Sequence, residues 1–376
     1  MDGSLAEVLA RYDAETPLEN AWTIPSSWYV DPRVTDLERR AVFSRTWQMV
    51  GRADQVALPG HFFTADVAGE PILVARGQDG VVRAFFNVCR HHAAAVEPRA
   101  EGRTHLFRCP YHGWTYSLDG ELKGTPDFAG VCGFEKADNG LVPAAVEEWE
   151  KFVFVKVETG GPSLRESLGD LVSQFRPLGL DRYHFVERRQ WTFDCNWKVF
   201  VDNYLDGGYH VPHLHKGLSS VLDYSEYRIE TGPNWCLQHS PMTQEGAAPE
   251  VGAVRKGERA LYYWFYPNFM INWYEGVMDT NLVLPLSTGK SLVIFDFYFT
   301  DVSSPEALAR NKASIEVGNR VQDEDLAICD SVQRGLASRA YSAGRLSVRR
   351  EGGEHLFHRA LAGDLKAGLG GDSSAG

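Results

Sequence analysis

The sequence predicts an α+β protein in two parts: an all-β part, then an antiparallel sheet with helices set against it. Two observations carry this reading. Between about 41 and 160, short apolar runs alternate with tight-turn signals; between 222 and 300, a second run of strands is bracketed by helical segments. A chain of 376 residues is long enough to bury a core in each part.

Residues 1–40 read as an N-terminal arm, with a polar loop near Pro25 and Pro32 and a helical stretch from about Asp36 to Trp47. In the first domain, 41–160, PILVARG and VVRAFFNV flank the turn signal Asp79-Gly80, and WTYSL and ELKG flank Asp119-Gly120. KFVFVKV, at 151–157, closes this region, and Gly160-Gly161-Pro162 marks a boundary. The second domain, 161–376, opens on Ser163 and Glu166 at capping-box spacing, which predicts a helix through about Phe175. An aromatic-rich strand over 183–194 leads into a helix from about Asn196 to His210. The strands ALYYWFY, FMINWY, NLVLPL and SLVIFDFYF follow. Ser304 before Pro305 then caps a long helix to about Ala337, with a break expected near Gly318.

Composition narrows the function. A net charge of −12 disfavours nucleic-acid binding and suits solubility or a cationic partner. The N-terminus lacks a positive region followed by an apolar run, and no stretch has the roughly 18 apolar residues of a spanning helix. The expectation is a cytoplasmic protein with no membrane partner. Of six cysteines, only Cys89 and Cys109 sit beside histidines at ligand spacing; Cys132, Cys195, Cys236 and Cys329 are scattered, as in a reducing compartment.

Two constellations carry chemistry. Cys89 and His91 follow one apolar strand, and Cys109 and His112 follow another, with 17 residues between the pairs. A zinc site normally groups its cysteines two to four residues apart. Here each loop offers one Cys and one His, the set a Rieske [2Fe–2S] cluster needs: two thiolates on one iron and two imidazoles on the other. Gly113 allows a sharp turn and Trp114 can shield the cluster, while His92 and His105 lack ligand spacing.

The second constellation spans Asn196 to His215, with Asp202, Asp206, His210, His213 and His215 within 20 residues. On one helix Asp206 and His210 would share a face. Pro212, as a helix breaker, would let a later histidine swing back toward the metal held by His210. Two histidines and a carboxylate on one side of an iron leave positions open for dioxygen and substrate. Asp325, within the acidic run after Gln322, is the best candidate carboxylate, against the plain reading of a solvated helix face. His355 and His358 show helical spacing without a third ligand and read as structural.

Together these residues resemble the large (alpha) subunit of Rieske non-haem iron oxygenases over about 25–365. DNYLDGGYHVPHLHKGL and VQDEDLAICDSVQRGL are most similar to its choline monooxygenase-like group. The resemblance implies an N-terminal Rieske domain and a C-terminal helix-grip (START-like) catalytic domain, in a homotrimer or a multiple of it. It implies mononuclear Fe(II) at His210, His215 and Asp325, Asn203 beside the iron, and Asp206 bridging the two centres. It further implies dioxygen as co-substrate and electrons from NAD(P)H through a flavin or ferredoxin reductase. In ring-hydroxylating relatives the bridging acid stands three residues before the first histidine; that position is Gly207 here, and Asp206 stands four before. This shifts the expected substrate from an aromatic ring toward a choline- or betaine-like amine.

The aromatic stretch Tyr262–Tyr274 would suit a cation–π cage, or would simply fill a core by alternation. The alternatives are hydroxylation or demethylation of an aromatic or other small molecule, and a Rieske electron carrier. The carrier leaves roughly 200 residues and a second ligand set unexplained.

Overall fold

The computed structural model describes residues 3–372. The chain divides into two compact units, 43–167 and a second formed by 1–42 with 168–376.

The first unit is all-β apart from short helical turns. Its strands are β1 (Gln48–Arg52), β2 (His61–Val67), β3 (Glu70–Arg76), β4 (Val82–Phe86), β5 (Glu101–Arg103), β6 (Phe107–Arg108), β7 (Thr115–Tyr116), β8 (Leu122–Gly124), β9 (Pro143–Trp149) and β10 (Phe152–Lys156). Seven form one antiparallel sheet in the order β1-β10-β9-β4-β3-β2-β5, and β6-β7-β8 form a second, small sheet. Gly80 and Gly120 take positive φ, so both expected hairpins close at their Asp-Gly signals. Every residue of β10 is buried, which is why its sequence runs apolar rather than alternating.

The expected boundary at Gly160-Gly161-Pro162 is tied into this unit. The Pro162 carbonyl accepts from Trp47 Nε1 at 3.1 Å and Lys156 Nζ at 2.9 Å. Ser163 and Glu166 do cap each other. The helix they open stops at Leu168, because Gly169 takes φ +58°, and a second piece runs Leu171–Phe175.

The second unit holds β11 (His184–Phe193), β12 (Arg228–Thr231), β13 (Trp235–Pro241), β14 (Arg259–Phe265), β15 (Phe269–Tyr274), β16 (Val277–Ser287) and β17 (Lys290–Phe299). They form one antiparallel sheet in the order β11-β17-β16-β15-β14-β13-β12. Four helices matter to the site: α1 (Trp197–Leu205), α2 (Val211–Leu214), α3 (Pro305–Leu336) and α4 (Gly352–Asp372).

Residues 3–42, read from sequence as an arm, pack into this unit with Ile24, Trp28 and Val34 fully buried. Their helix begins earlier than expected: Asp31 caps Pro32–Glu38, and a wider π turn continues it through Phe43.

Two more expectations are corrected here. Helix α3 is continuous through Gly318, which lies against the Phe297 ring; an added Cβ would stand 3.1 Å from that ring. Helix α1 ends at Leu205 rather than His210, because Gly207 and Gly208 take φ +69° and +67°. At Gly207 a Cβ would fall 2.0 Å from the Arg350 carbonyl oxygen. Gly207→Ala is therefore expected to destabilise the fold by more than about 2 kcal/mol. Gly363→Ala, at an exposed position of α4 with open space around it, should be neutral or slightly stabilising. Thermal melting of the two variants checks this.

Candidate metal centres and substrate cavity

The first site sits on two loops of matching design. The Cys89 N–H bonds the Ala94 carbonyl at 2.8 Å, and the Cys109 N–H bonds the Trp114 carbonyl at 2.8 Å. Each loop also turns back on its cysteine carbonyl, which accepts from Ala93 N in one and Gly113 N in the other. Gly113 takes φ +73°. Asn87 anchors the first loop: its Oδ1 accepts from Val96 N and Glu97 N, and its Nδ2 donates to the Glu97 carbonyl. No motif pointed to that residue.

The loops bring all four expected side chains together. Cys89 and Cys109 are buried, and His91 Nδ1 stands 3.1 Å from His112 Nδ1. Trp114 stacks on His91 at 4.7 Å and 9°, with Phe128 edge-on to both rings. The Tyr116 hydroxyl lies 3.4 Å from Cys89 Sγ and accepts from Arg90 N. His92 packs on the His91 ring, and His105 is exposed.

This donor set fits a two-iron cluster. Burial pushes the Cys109 thiol up, so its thiolate requires a cation beside it. Burial, together with the neighbouring His92 and His112, holds His91 below the usual imidazole range, in the neutral form that binds a metal. Two imidazole nitrogens aimed at each other at contact distance are themselves complementary to a shared positive centre.

The second site is built where α1 ends. Asn196 caps α1 through Lys198 N, and its Nδ2 donates to the Tyr29 and Thr288 carbonyls. Trp197 Nε1 and Lys198 Nζ both donate to the buried Glu38 carboxylate. Past the glycine break, Asp206 acts as the cap of a tight turn, accepting from Tyr209 N and His210 N at 3.0 Å each. The same carboxylate holds His210 Nδ1 at 2.6 Å. Asp206 and His210 therefore meet through a capped turn, not on a shared helix face. Pro212 lies in the first turn of α2 and breaks nothing.

His215 ends α2 and is buried, whereas His213 is exposed and turned away. His215 Nε2 stands 3.0 Å from Asp325 Oδ1, and its Nδ1 stands 2.6 Å from Glu324 Oε2. Asn203 Nδ2 donates to the same Asp325 oxygen at 2.9 Å. One ligand atom from each of His210, His215 and Asp325 lies within 4.8 Å of the other two. Burial pushes His215 down, but Asp325 and Glu324 outweigh it and leave the imidazole above its usual range. Two imidazoles with their Nδ1 atoms engaged by carboxylates, and one carboxylate beside them, match a divalent iron. Glu324 was missed in the sequence; adjacency to Asp325 was its only signal.

His355 and His358 are not equivalent. His355 bonds the Thr16 carbonyl, whereas the fully buried His358 stands 3.0 Å from Asp202 and beside Tyr29.

An open cavity, about 810 Å³ with the solvent space at its mouth included, adjoins His210, His215 and Asp325. Sheet register explains its wall. Gln238, Tyr262, Asn272 and Asp279 lie opposite one another across β13 to β16, with Phe297 next on β17. Their side chains therefore share one face. Of the aromatic stretch, Tyr262 and Tyr274 line the cavity; Tyr263 and Phe265 pack against Phe175, and Trp264 against Phe357. Tyr204 and Tyr227 complete an aromatic wall, with Tyr227 and Tyr262 nearly parallel at 6.5 Å and Tyr262 edge-on to Tyr274 at 6.0 Å. Burial raises all four phenols, so they remain neutral.

Comparison with known proteins now places the chain. "Rieske [2Fe-2S] domain" matches residues 46–135, and "Ring hydroxylating alpha subunit (catalytic domain)" matches 180–366. The chloroplastic choline monooxygenase of Arabidopsis thaliana is 43% identical over 96% of this chain and 87% of its own length. The chain is a Rieske non-haem iron oxygenase alpha subunit. The carnitine monooxygenase oxygenase subunit of Acinetobacter pittii is 31% identical over 88% of this oxygenase and 90% of its own length. A solved quaternary ammonium Rieske monooxygenase, described in connection with carnitine oxidation, superposes with a TM-score of 0.83 at 29% identity, covering 92% of this oxygenase and 96% of that chain. As a member of this family the oxygenase works with a Rieske cluster, a mononuclear iron, dioxygen and supplied electrons on a small molecule. No helix among the described residues is long and apolar enough to cross a membrane.

Proposed function

We propose that this oxygenase hydroxylates a C–H bond of a quaternary ammonium compound, with the cluster on Cys89, His91, Cys109 and His112 and the iron on His210, His215 and Asp325. The carrying observation is the wall of Tyr204, Tyr227, Tyr262 and Tyr274 directly beside those three ligand residues. Neutral aromatic faces attract a quaternary ammonium, which has no N–H to donate, by about 0.5–2 kcal/mol per ring. The names of the relatives, choline and carnitine monooxygenases, support the same class. Bound iron supplies oxygen activation, and the cluster supplies the electrons.

The protein's own groups position and shield. Asp206 and Glu324 fix the ring orientation of His210 and His215, and Asn203 holds Asp325. In this reading Asp206 also joins the two centres. Its carboxylate grips His210, and the cluster loop presents an exposed His112 that a neighbouring copy can offer. This reading implies a homotrimer or a multiple of it, a flavin or ferredoxin reductase drawing on NAD(P)H, and a cytoplasmic setting.

With a surrogate reductase, oxygen uptake should respond to trimethylammonium compounds and not to aromatic hydrocarbons; the reverse result would refute the substrate class. Asp325→Ala should lose the mononuclear iron and keep about two irons per chain, read by metal analysis. Glu324→Gln should weaken iron retention against a chelator by roughly 10–100-fold. Asp206→Asn should leave the cluster's visible spectrum intact while removing most turnover. Tyr262→Leu should raise KM about 2–30-fold with a smaller change in kcat.

A further inference from the structure

Helix α4, α1 and the N-terminal segment enclose a polar cluster that the iron chemistry does not use. His358 is fully buried, and its Nδ1 accepts from Ile24 N at 3.4 Å. The ring hydrogen is therefore on Nε2, and the imidazole is neutral. Nε2 donates to Asp202 Oδ1 at 3.0 Å, and the Tyr29 hydroxyl donates to Asp202 Oδ2 at 2.5 Å. Asp202 takes both hydrogens. Glu354, 7% exposed, takes none: among the described residues no N–H or O–H donates to it, and His358 Nε2, already given to Asp202, stands 3.8 Å away. A Glu354 oxygen nonetheless lies within 4.8 Å of both the Asp202 carboxylate and the His358 ring nitrogen. Tyr12, edge-on to His358 at 6.3 Å, has a buried hydroxyl with no hydrogen-bond partner.

The charges facing Glu354 are mostly of its own sign. Helix α1 brings Asp202 and Asp206, and the residue before α4 is Glu351. The cations are engaged elsewhere: Lys198 on Glu38, and Arg350 on the Gly207 and Tyr224 carbonyls. Arg359, on the exposed side of α4, acts on Tyr12 and His355, and His355 is turned to the Thr16 carbonyl. The first turn of α4 favours an anion, but an unbonded carboxylate out of water costs far more than that field returns. Burial and the three neighbouring carboxylates push the Glu354 carboxyl well above the usual carboxylate range. A divalent ion at the same residues is disfavoured by the tautomer. A histidine that binds metal through Nε2 keeps its hydrogen on Nδ1 and donates it, whereas this Nδ1 faces a backbone donor.

We propose that Glu354 is a positioning residue for the iron ligands and works as a neutral carboxylic acid, its hydrogen directed toward Asp202. This rests on the reading of His210, His215 and Asp325 as the iron ligands. The neutral acid lets α4 lie against α1 while Tyr29 and His358 grip Asp202. That grip sets the rotation from which Asn203 reaches Asp325 and Asp206 reaches His210. Once the hydrogen leaves in alkali, two carboxylates face each other with no cation between them, and α1 is pushed from its seat. The sign follows from the raised value in the folded chain. The stabilisation is complete below the ordinary glutamate value of 4.5 and is lost as pH rises through the folded value.

Two measurements on the iron-loaded enzyme test this. The infrared spectrum of the wild type at neutral pH should contain the C=O stretch of a protonated carboxyl, shifted in D2O and missing from Glu354→Gln. The second is the rate at which a chelator removes the mononuclear iron between about pH 7 and 10, a range that brackets the highest values known for buried glutamates. In the wild type that rate should rise about tenfold per pH unit, the slope of one proton, and level off once Glu354 is ionised. Glu354→Gln cannot ionise and should lack this step, with a neutral-pH rate within about threefold of the wild type's, since one proton's tenfold steps must stand clear of it.

Absence of the protonated carboxyl band from the wild type overturns the proposal without any variant. So does a Glu354→Gln variant that fails to fold or to hold iron at neutral pH, because the anion would then be needed. A variant whose iron loss follows the wild-type pH curve overturns it too. A further divalent ion per chain, lost on that substitution, would make the cluster a metal site instead. A wild type that holds no mononuclear iron at any pH defeats the ligand reading itself, and the infrared band still decides the state of Glu354.

Discussion

The second unit depends on how firmly α1 is held before it ends. Trp197 and Lys198 both donate to Glu38, a carboxylate with no solvent exposure contributed by the N-terminal segment. Five residues on, Asp202 is gripped by Tyr29 and His358. A fully bonded buried ion pair adds little net stability over an apolar contact, but breaking one partner away is strongly unfavourable. Here it fixes one register and one rotation of α1. With that rotation set, Asn203 reaches Asp325 and Tyr204 faces the cavity. The N-terminal segment thus serves as a wall behind α1, which accounts for its burial.

Past Leu205 the chain must reverse within a few residues to return two histidines to one point. A continued helix could not do so, since His210 and His215 five positions apart would diverge. Gly207 and Gly208 supply the positive φ angles, and Asp206 replaces the lost helical bonds by accepting from two backbone N–H groups. One carboxylate therefore folds the turn and orients the His210 ring. Its two duties are inseparable, because the oxygen that caps His210 N also holds His210 Nδ1.

The two centres differed in how much the sequence revealed. Each of the two Cys-His loops draws its candidate ligands from a few consecutive residues and closes on its own backbone, so Cys89, His91, Cys109 and His112 could be read with the turn that joins each pair. The strands at 70–86, 152–156 and 259–299 were legible for the same reason: their apolar patterns and Asp-Gly turns are local signals. The path from Asp206 to His215 was not. Helical spacing was the natural reading of Asp206 and His210, and only the φ angles of two adjacent glycines, a strong breaker pair, replace it. Glu324 escaped because its meaning depends on a histidine 109 residues away.

The cavity wall was the least legible part, for a reason that sheet geometry makes plain. Alternation predicts that half of an aromatic strand points one way, but not which half faces a cavity and which a core. Tyr262 and Trp264 share a face and yet meet different surroundings, one at the cavity and one against Phe357 on α4. What decides between them is the register of four hydrogen-bonded neighbours and the helix lying over each point of the sheet. The polar members follow the same rule. Asp279 and Asn281 are two apart on β16, and Asn272 lies directly opposite Asp279, so one carboxylate and its amide neighbours are delivered together to an otherwise aromatic surface. A strand buried on both faces has no packing reason to carry an aspartate. Its presence there, 4% exposed, is sustained by the Asn272 Nδ2 bond at 2.7 Å and by the positive field of Arg255 on the same cavity wall.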